Sequence, residues 1–441
     1  MSEEMRPDLS PDLLRGLTQP RLSRRRMMQM GGLSALGLAL SACSIKGTQP
    51  NAGSGTGTAA TTGGGGDSMW GQQRAIEKFW TGYTKADGQL NFANWPLYMD
   101  VDPDDDSVHP SLDEFTKKSG IKVKYDEVID EDDTYYAKIA PLLKAGRSTG
   151  YDLMVITNGI ELDALITRDY LLPLDQTRMP NFYAQASDLV KDPSYDRGNV
   201  FTMAWQSGIT GIAYNPKKVG KKITSWQDLL DPALKGKIGM FADNQDLPGC
   251  ALCAVGVNPE TSTPADWQKA ADWLIKQQPL VRKYYSQDYI GDLKAGNTWV
   301  SMAWSGDVFQ ANASGAELEF IVPKEGALIW TDNMCIPRYA DHPLDAMTYM
   351  DYVYQPEVAA TLDDYINYFT PVPAARDIYL QEAADAKKSG DKEGEDYYNG
   401  LANSPLIFPT AQDLTLLHRY RVLTQDELTQ WNALFQPIVQ A

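Results

Sequence analysis

From Gln89 onward, short apolar runs alternate with amphipathic stretches, which is the pattern of an α/β protein. Residues 90–95 predict a first strand that ends in a loop, and the alternating residues 121–125 predict the next strand. The continuous apolar run 151–156 is typical of a buried parallel strand. Further strands are predicted at 208–215, 237–241, 299–304 and 318–322.

Helices are predicted between these runs. Ser111 is the predicted N-cap of a helix over residues 112–119, and Gly120 follows its end, where a left-handed residue often stops a helix. A second helix is predicted around residues 135–145, and another begins within residues 225–230.

The ends of the predicted strands carry candidate ligand-facing residues. In open α/β sheets, ligands gather at the carboxyl ends of the strands. Four residues end or follow such runs, namely Trp95, Asp243, Trp304 and Trp330. A chain of 441 residues also exceeds what one hydrophobic core usually serves, so two lobes are expected.

The N-terminus has a different pattern, which predicts export. Paired arginines at 24–26 precede an apolar stretch, 27–42, that is too short and too mild to span a membrane. These features and the small residues before Cys43 are typical of a signal peptide over residues 1–42, and the arginines indicate the Tat route. Residues 40–43, Leu-Ser-Ala-Cys, resemble the lipobox of bacterial lipoproteins, which predicts lipidation of Cys43. The alternative is a chance cysteine at an ordinary cleavage site.

A tether is predicted after the signal peptide. Residues 43–67 are rich in Gly, Thr, Ala and Ser, a composition that cannot bury a core. Acyl chains on Cys43 would hold the mature protein on the outer face of the membrane by burial of hydrocarbon. Cleavage before Cys43 removes six basic and four acidic residues, which changes the net charge from -18 to -20.

Composition excludes several classes of function. A net charge of -18 disfavours nucleic acid as a partner, because phosphate binding needs clustered Lys and Arg. The acidity fits a cationic ligand, and it also fits plain solubility. The three histidines form no HExxH motif, and no GxSxG or GxxxxGK[ST] motif occurs. We therefore expect no catalysis, no cofactor and no metal.

The remaining cysteines are predicted to be structural. Cys250 and Cys253 form a CxxC motif within small and apolar neighbours, where cysteine packs as a small hydrophobe. No second CxxC or nearby histidine completes a metal set. The sequence does not decide whether the two cysteines form a disulfide.

A series of short motifs carries a family resemblance over roughly residues 89–375. The landmarks, in order, are Asn94-Trp95-Pro96-Leu97-Tyr98, Tyr151-Asp152-Leu153, Trp205-Gln206-Ser207-Gly208, Trp304-Ser305-Gly306-Asp307, Trp330-Thr331-Asp332-Asn333 and Tyr368-Phe369-Thr370-Pro371. In this order and spacing, the sequence resembles the spermidine/putrescine-binding proteins of bacterial polyamine ABC importers.

The resemblance implies a two-lobed clamshell in which each lobe is a mixed sheet flanked by helices. Lobe 1 would comprise residues 89–206 with 330–378, and lobe 2 would comprise 207–329 with 379–441, joined by hinge crossovers. The implied ligand-binding residues in the cleft are Trp95, Tyr98, Asp243, Asp246, Trp304, Trp330, Asp332 and Tyr368. Their chemistry agrees, since carboxylates offset ammonium charge and aromatic faces attract the cation and cover its methylenes.

Other interpretations of these residues stay open. Trp304 and Trp330 also suit a hydrophobic core, and Asp243 and Asp246 also suit a turn or an N-cap. The family usually has an aromatic where this chain has residues 157–161, so one wall of the cleft is expected to differ. Lesser candidates for ligand contact are Thr157, Asn158, Glu161 and Asp307.

Three functions are compatible with the sequence. The first is capture of a polyamine (spermidine or putrescine) outside the cytoplasm and its delivery to an ABC importer permease. The second keeps the fold and changes the ligand to another organic cation, an amino-acid derivative or a sugar. The third is a surface enzyme that acts on a glycan through paired carboxylates, which two acids on one loop seldom support.

Overall fold

The structure, a computed structural model, describes residues 73–440 except positions 103, 106, 287, 314, 406 and 410–413. The predicted signal peptide, Cys43 and the tether lie outside the described residues. None of the helices in the described part of the chain is long and apolar enough to cross a membrane.

The described residues alternate strands with helices, as the sequence predicts. The strands are β1 Gln89–Asn94, β2 Lys122–Glu127, β3 Leu153–Thr157, β4 Thr202–Tyr214, β5 Ile238–Phe241, β6 Val281–Tyr285, β7 Val300–Trp304, β8 Glu319–Ile321, β9 Ala327–Cys335 and β10 Leu417–His418. The helices are α1 Gln73–Trp80, α2 Pro110–Ser119, α3 Asp132–Lys144, α4 Ile160–Thr167, α5 Pro180–Gln185, α6 Pro216–Val219, α7 Asp246–Ala254, α8 Pro264–Gln277, α9 Tyr289–Ala295, α10 Ser305–Ala313, α11 Pro343–Tyr352, α12 Pro356–Ile366, α13 Ala375–Ser389, α14 Lys392–Ala402 and α15 Gln425–Gln440.

One continuous sheet runs through both lobes in the order β2-β1-β3-β9-β4-β7-β5-β6. The three strands at one end, β2, β1 and β3, are parallel, and so are β7, β5 and β6 at the other end. Between these groups, β9 and β4 run antiparallel to each other and to β3 and β7. The predicted arrangement of two mixed α/β lobes is confirmed.

Two long strands connect the lobes. In the pairing of β4 with β9, Thr202 lies opposite Cys335 at the end near β3, and Thr210 lies opposite Leu328 at the end near β7. The register shifts between Ala204 and Gln206, so the ladder is interrupted midway. Every residue of both strands is buried, as expected for chain segments that pass between lobes.

Separate hydrophobic cores define the lobes. Lobe 1, which contains β1–β3, has buried clusters on the two faces of its part of the sheet, and lobe 2, which contains β5–β7, has its own. The buried residues Tyr379 and Leu401 of α13 and α14 belong to a core of lobe 1, whereas Trp431 and Phe435 of α15 belong to the core of lobe 2. The expected assignment of all residues 379–441 to lobe 2 is therefore wrong for α13 and α14, because their apolar faces complete lobe 1.

Local differences from the predictions have clear causes. Helix α2 begins at Pro110 with His109 as its N-cap, because proline suits the first helical position and the Ser111 hydroxyl donates to Asp100 instead. Gly120 ends the helix at a φ of 78°, as predicted. The Cys250, Cys253 and Cys335 thiols are buried and free, which supports the structural interpretation.

A buried carboxylate fixes the start of β1, the strand whose carboxyl end leads to Trp95. Asp345 of α11 is fully buried and accepts hydrogen bonds from the backbone amides of Asp87, Gly88 and Gln89 at 2.9, 2.7 and 3.0 Å. Hydrogen bonds to a charged acceptor are stronger than neutral ones, so this contact anchors β1 on the helix behind it.

Substitution of Asp345 by alanine should lower the free energy of unfolding by about 3 kcal/mol, because three amides lose a charged acceptor. Urea unfolding followed by tryptophan fluorescence measures the change. Asp345→Asn keeps one acceptor oxygen and should lose less. An alanine variant as stable as the unchanged protein would contradict the anchoring role.

Candidate functional site

A cleft of about 1300 Å³ separates the lobes, and both lobes line it. All eight residues proposed as ligand-binding line this cleft, which brings together positions from 95 to 368 along the chain. Among the lesser candidates, Thr157, Glu161 and Asp307 also line it. Asn158 does not, because its side chain is buried behind the wall and accepts the Thr331 amide hydrogen bond at 2.6 Å.

Asp332 lies in β9 near the point where that strand passes between the lobes. The Tyr98 hydroxyl donates to one of its carboxylate oxygens at 2.6 Å, and the Thr157 hydroxyl donates to the other at 2.6 Å. The side chain is 5% exposed. Burial raises the pKa of Asp332 to about 6, against the lowering effect of these two hydrogen bonds.

Asp246 is the counterpart on lobe 2, at the first position of α7. It accepts hydrogen bonds from the Thr210 hydroxyl at 2.8 Å and the Tyr420 hydroxyl at 2.6 Å, and from the Trp304 indole N–H at 2.9 Å. The carboxylate is thereby oriented by three donors from different elements. Burial raises the pKa of Asp246 against these hydrogen bonds.

Asp243 combines a turn role with a place in the cleft. Its carboxylate accepts the backbone N–H of Gln245 at 2.8 Å and also that of Asp246, which supports the turn interpretation, whereas the N-cap of α7 is Gln245. The side chain is open to the cleft, and desolvation followed by the neighbouring Asp246 charge raises its pKa. The two carboxyls therefore compete for ionisation while no cation is present.

Aromatic rings lie between the carboxylates. The ring centroids of Trp330 and Tyr368 are 5.3 Å apart, and those of Tyr98 and Tyr368 are 6.0 Å apart. The Trp330 indole N–H donates to the Thr210 hydroxyl at 3.2 Å, which in turn donates to Asp246. Trp330 is 7% exposed, so it belongs to the lobe 1 core and also lines the cleft.

Two glycines of the sequence landmarks make room for these rings. A Cβ atom on Gly208 would lie 2.3 Å from the Trp330 ring, and one on Gly306 would lie 2.6 Å from the Tyr368 ring. Real Cβ atoms do not approach other atoms this closely, so the glycines permit the rings to pack directly against the backbone.

Asp307 provides a further carboxylate on lobe 2. It accepts hydrogen bonds from the Tyr368 hydroxyl at 3.1 Å and the Tyr289 hydroxyl at 2.9 Å. The Tyr289 oxygen also accepts the backbone N–H of Trp304 at 2.9 Å. Both tyrosines are thus held in position at the cleft wall by defined partners.

Segment 157–161, where the cleft wall is expected to differ from that of the family, contacts lobe 2. Gly159 has a φ of 136°, and a Cβ atom there would lie 1.9 Å from the Gln245 side-chain oxygen. That oxygen accepts the backbone N–H of Ile160 at 3.0 Å. A side chain from lobe 2 therefore occupies the space above Gly159, and the contact joins the two lobes across the cleft.

Several further residues line the cleft without a sequence signal that indicates it. Tyr420 lies in the C-terminal segment, where no motif indicates a site, and Tyr289 begins an ordinary-looking helix. Asp132 lies within the acidic run 130–133, which is typical of a helix N-terminus and hides its position in the cleft. No group of His, Cys, Asp or Glu side chains suited to a metal is present in the described part of the chain.

Comparison with known proteins gives consistent results. Residues 111–390 match the family described as bacterial extracellular solute-binding protein. The spermidine/putrescine-binding periplasmic protein of Escherichia coli (strain K12) is 30% identical over 300 residues, which cover 68% of this chain and 82% of that protein. The putrescine-binding periplasmic protein SpuD of Pseudomonas aeruginosa is 31% identical over 349 residues, with coverage of 75% and 86%.

A solved structure shares the fold. The spermidine/putrescine ABC transporter substrate-binding protein PotD from Streptococcus pneumoniae aligns with a TM-score of 0.66 at 23% identity, covering 80% of this chain and 98% of that one. At this identity the likeness concerns the fold, and it agrees with the two lobes described above.

The ionisation of Glu161 should depend on folding. Burial raises its pKa to about 7, above the usual value near 4.5, so the folded state holds a proton that the unfolded state releases between these pH values. The charge therefore costs folding free energy as pH rises through this window. Glu161→Gln should increase the free energy of unfolding of the ligand-free protein by up to about 3 kcal/mol at pH 8 and leave it unchanged at pH 4.

Urea unfolding at the two pH values measures this effect. Glu114→Gln, on the exposed face of α2, removes the same charge outside the cleft and serves as the control. A Glu161→Gln variant that is no more stable than the unchanged protein at pH 8 would show that the carboxyl carries no such cost.

Proposed function

Because the chain belongs to the family of bacterial extracellular solute-binding proteins, we propose that it captures a polyamine and delivers it to an ABC importer. The relatives described above are named for spermidine and putrescine binding. The proposed activity is binding without chemical conversion, through closure of two lobes around a small cationic ligand.

The main support for this proposal is that carboxylates of both lobes line one cleft together with aromatic rings. A series of contacts links Asp332 to Asp246 through these rings. It runs from Asp332 to Tyr98, Tyr368, Trp330, Thr210 and finally Asp246. A polyamine consists of ammonium groups separated by methylene chains. Each ammonium needs a carboxylate to offset its desolvation, and each methylene chain packs on an aromatic face.

The eight residues that the resemblance assigns are proposed as the ligand contacts. Asp332 and Asp246 accept hydrogen bonds from ammonium groups, and Asp243 adds negative charge beside Asp246. Trp95, whose indole N–H donates to the Val155 carbonyl at 3.0 Å, contributes a ring at the lobe 1 end. A bound cation favours the ionised form of these raised-pKa carboxyls and offsets the repulsion between their charges.

Export and anchoring are proposed from the N-terminal sequence. The signal peptide over residues 1–42 directs the folded protein through the Tat route, and a lipid on Cys43 holds it at the outer face of the membrane. The segment 43–67 then acts as a tether that lets the folded lobes reach the permease.

Titration calorimetry with spermidine and putrescine tests the ligand. We expect saturable binding of at least one amine, and Trp330→Ala or Asp332→Asn should weaken it about tenfold or more, because a cation–ring contact or a buried charge partner is lost. Trp299→Ala, at a partly exposed ring outside the cleft that faces Lys237, is the matched control and should bind normally. Absence of heat with both amines would refute polyamine capture.

Membrane attachment is tested by Cys43→Ala in the native host. The unchanged protein should float with membranes and incorporate labelled fatty acid, whereas the variant should incorporate none and leave the membrane fraction, because no acyl chain buries hydrocarbon. Replacement of Arg24 and Arg25 by lysine should separately block export. Label on the alanine variant would place the lipid elsewhere.

A further inference from the structure

Lobe 1 carries a pair of carboxylates in the cleft that the family resemblance does not assign. Asp132 is the first residue of α3, and Glu161 lies in the first turn of α4. Both line the cleft together with Asp332. They approach it from the side of the parallel strands β1 and β3, opposite the loop that carries Asp243 and Asp246 on lobe 2.

Thr157 links this pair to the assigned carboxylate. Its backbone N–H donates to Asp132 at 3.3 Å, and its hydroxyl donates to Asp332 at 2.6 Å. Asp132 and Asp332 therefore flank a single residue at the carboxyl end of β3. Desolvation, and then the Glu161 and Asp332 charges, raise the pKa of Asp132.

Glu161 is the clearest candidate for ligand contact in this group. It is only 9% exposed, yet its carboxylate lies at the cleft wall. Among the described residues, no Lys, Arg or His side chain forms an ion pair with Glu161 or Asp132.

A purely structural role does not account for these side chains. Asp133, which is exposed in the first turn of α3, already supplies the favourable charge at that helix end. A buried carboxylate without a cation destabilises the protein, and residues of this kind persist where a ligand uses them. A positive group with several N–H donors, bound in the cleft, would offset these charges.

We propose that Asp132 and Glu161 form an additional ammonium subsite on lobe 1 that selects amines with a third positive charge. The inference rests on the proposed polyamine function and extends it to ligand selectivity. A diamine places its two ammonium groups at Asp332 and at the lobe 2 carboxylates. A triamine places a further ammonium beside Asp132 and Glu161, so spermidine binds more tightly than putrescine.

Isothermal titration of the purified protein with spermidine and with putrescine, in parallel, tests the subsite. Asp132→Asn and Glu161→Gln retain size and hydrogen-bonding capacity while each removes one charge. Each substitution should weaken spermidine binding about tenfold or more and putrescine binding less than about threefold. Asp113→Asn, an exposed residue of α2 outside the cleft, controls for the general change in charge and should leave both affinities unaltered.

The possible outcomes separate this inference from the function on which it rests. Binding of both amines by the unchanged protein, together with a selective loss for spermidine in both variants, supports the subsite. Equal losses for the two amines, or no loss for either, overturn it while polyamine binding stands. If the unchanged protein binds neither amine, the proposed function fails and the subsite falls with it. Unfolding curves of the ligand-free variants verify that each is folded.

Discussion

The antiparallel pairing of β4 with β9 is the constraint on which the other features depend. These two strands are buried throughout, and each contributes residues to both lobes. The cleft residues Trp330 and Asp332 lie on β9, so groups that line the cleft belong to the connection between the lobes. Side chains on paired strands are held more precisely than side chains on loops, which suits the proposed recognition of amines by the spacing of their charges.

The second organising factor is electrostatic. The cleft concentrates carboxyls whose pKa values are raised, among them Asp332, Asp246 and Glu161. Their hydrogen bonds to Tyr98, Thr157, Tyr420 and Trp304 orient the oxygens without supplying positive charge. These carboxyls lower the folding stability of the ligand-free protein and favour binding of a cation, a combination often found at binding sites. The net charge of -18 adds a long-range attraction for the same ligands.

Sequence patterns predicted the fold class, most strands and the residues that gather in the cleft, because strand periodicity and short landmark motifs are local signals. They did not predict which lobe α13 and α14 complete, since an amphipathic helix does not specify the surface it covers. Tyr420 and Asp132 escaped notice for a related reason. The first reaches Asp246 from 174 residues away, and the second is one acid within an acidic run. Asn158 was misplaced because a strand end can direct a polar side chain into the sheet as readily as into a cleft.

The contact between Gln245 and the Gly159–Ile160 backbone has a wider consequence. The Ile160 amide proton is covered by a residue of the opposite lobe, and only while the lobes stand as they do here. Its exchange with solvent deuterium is therefore coupled to the opening of the clamshell rather than to local unfolding of α4. The exchange rate of this single amide proton therefore reports on lobe opening without any attached probe.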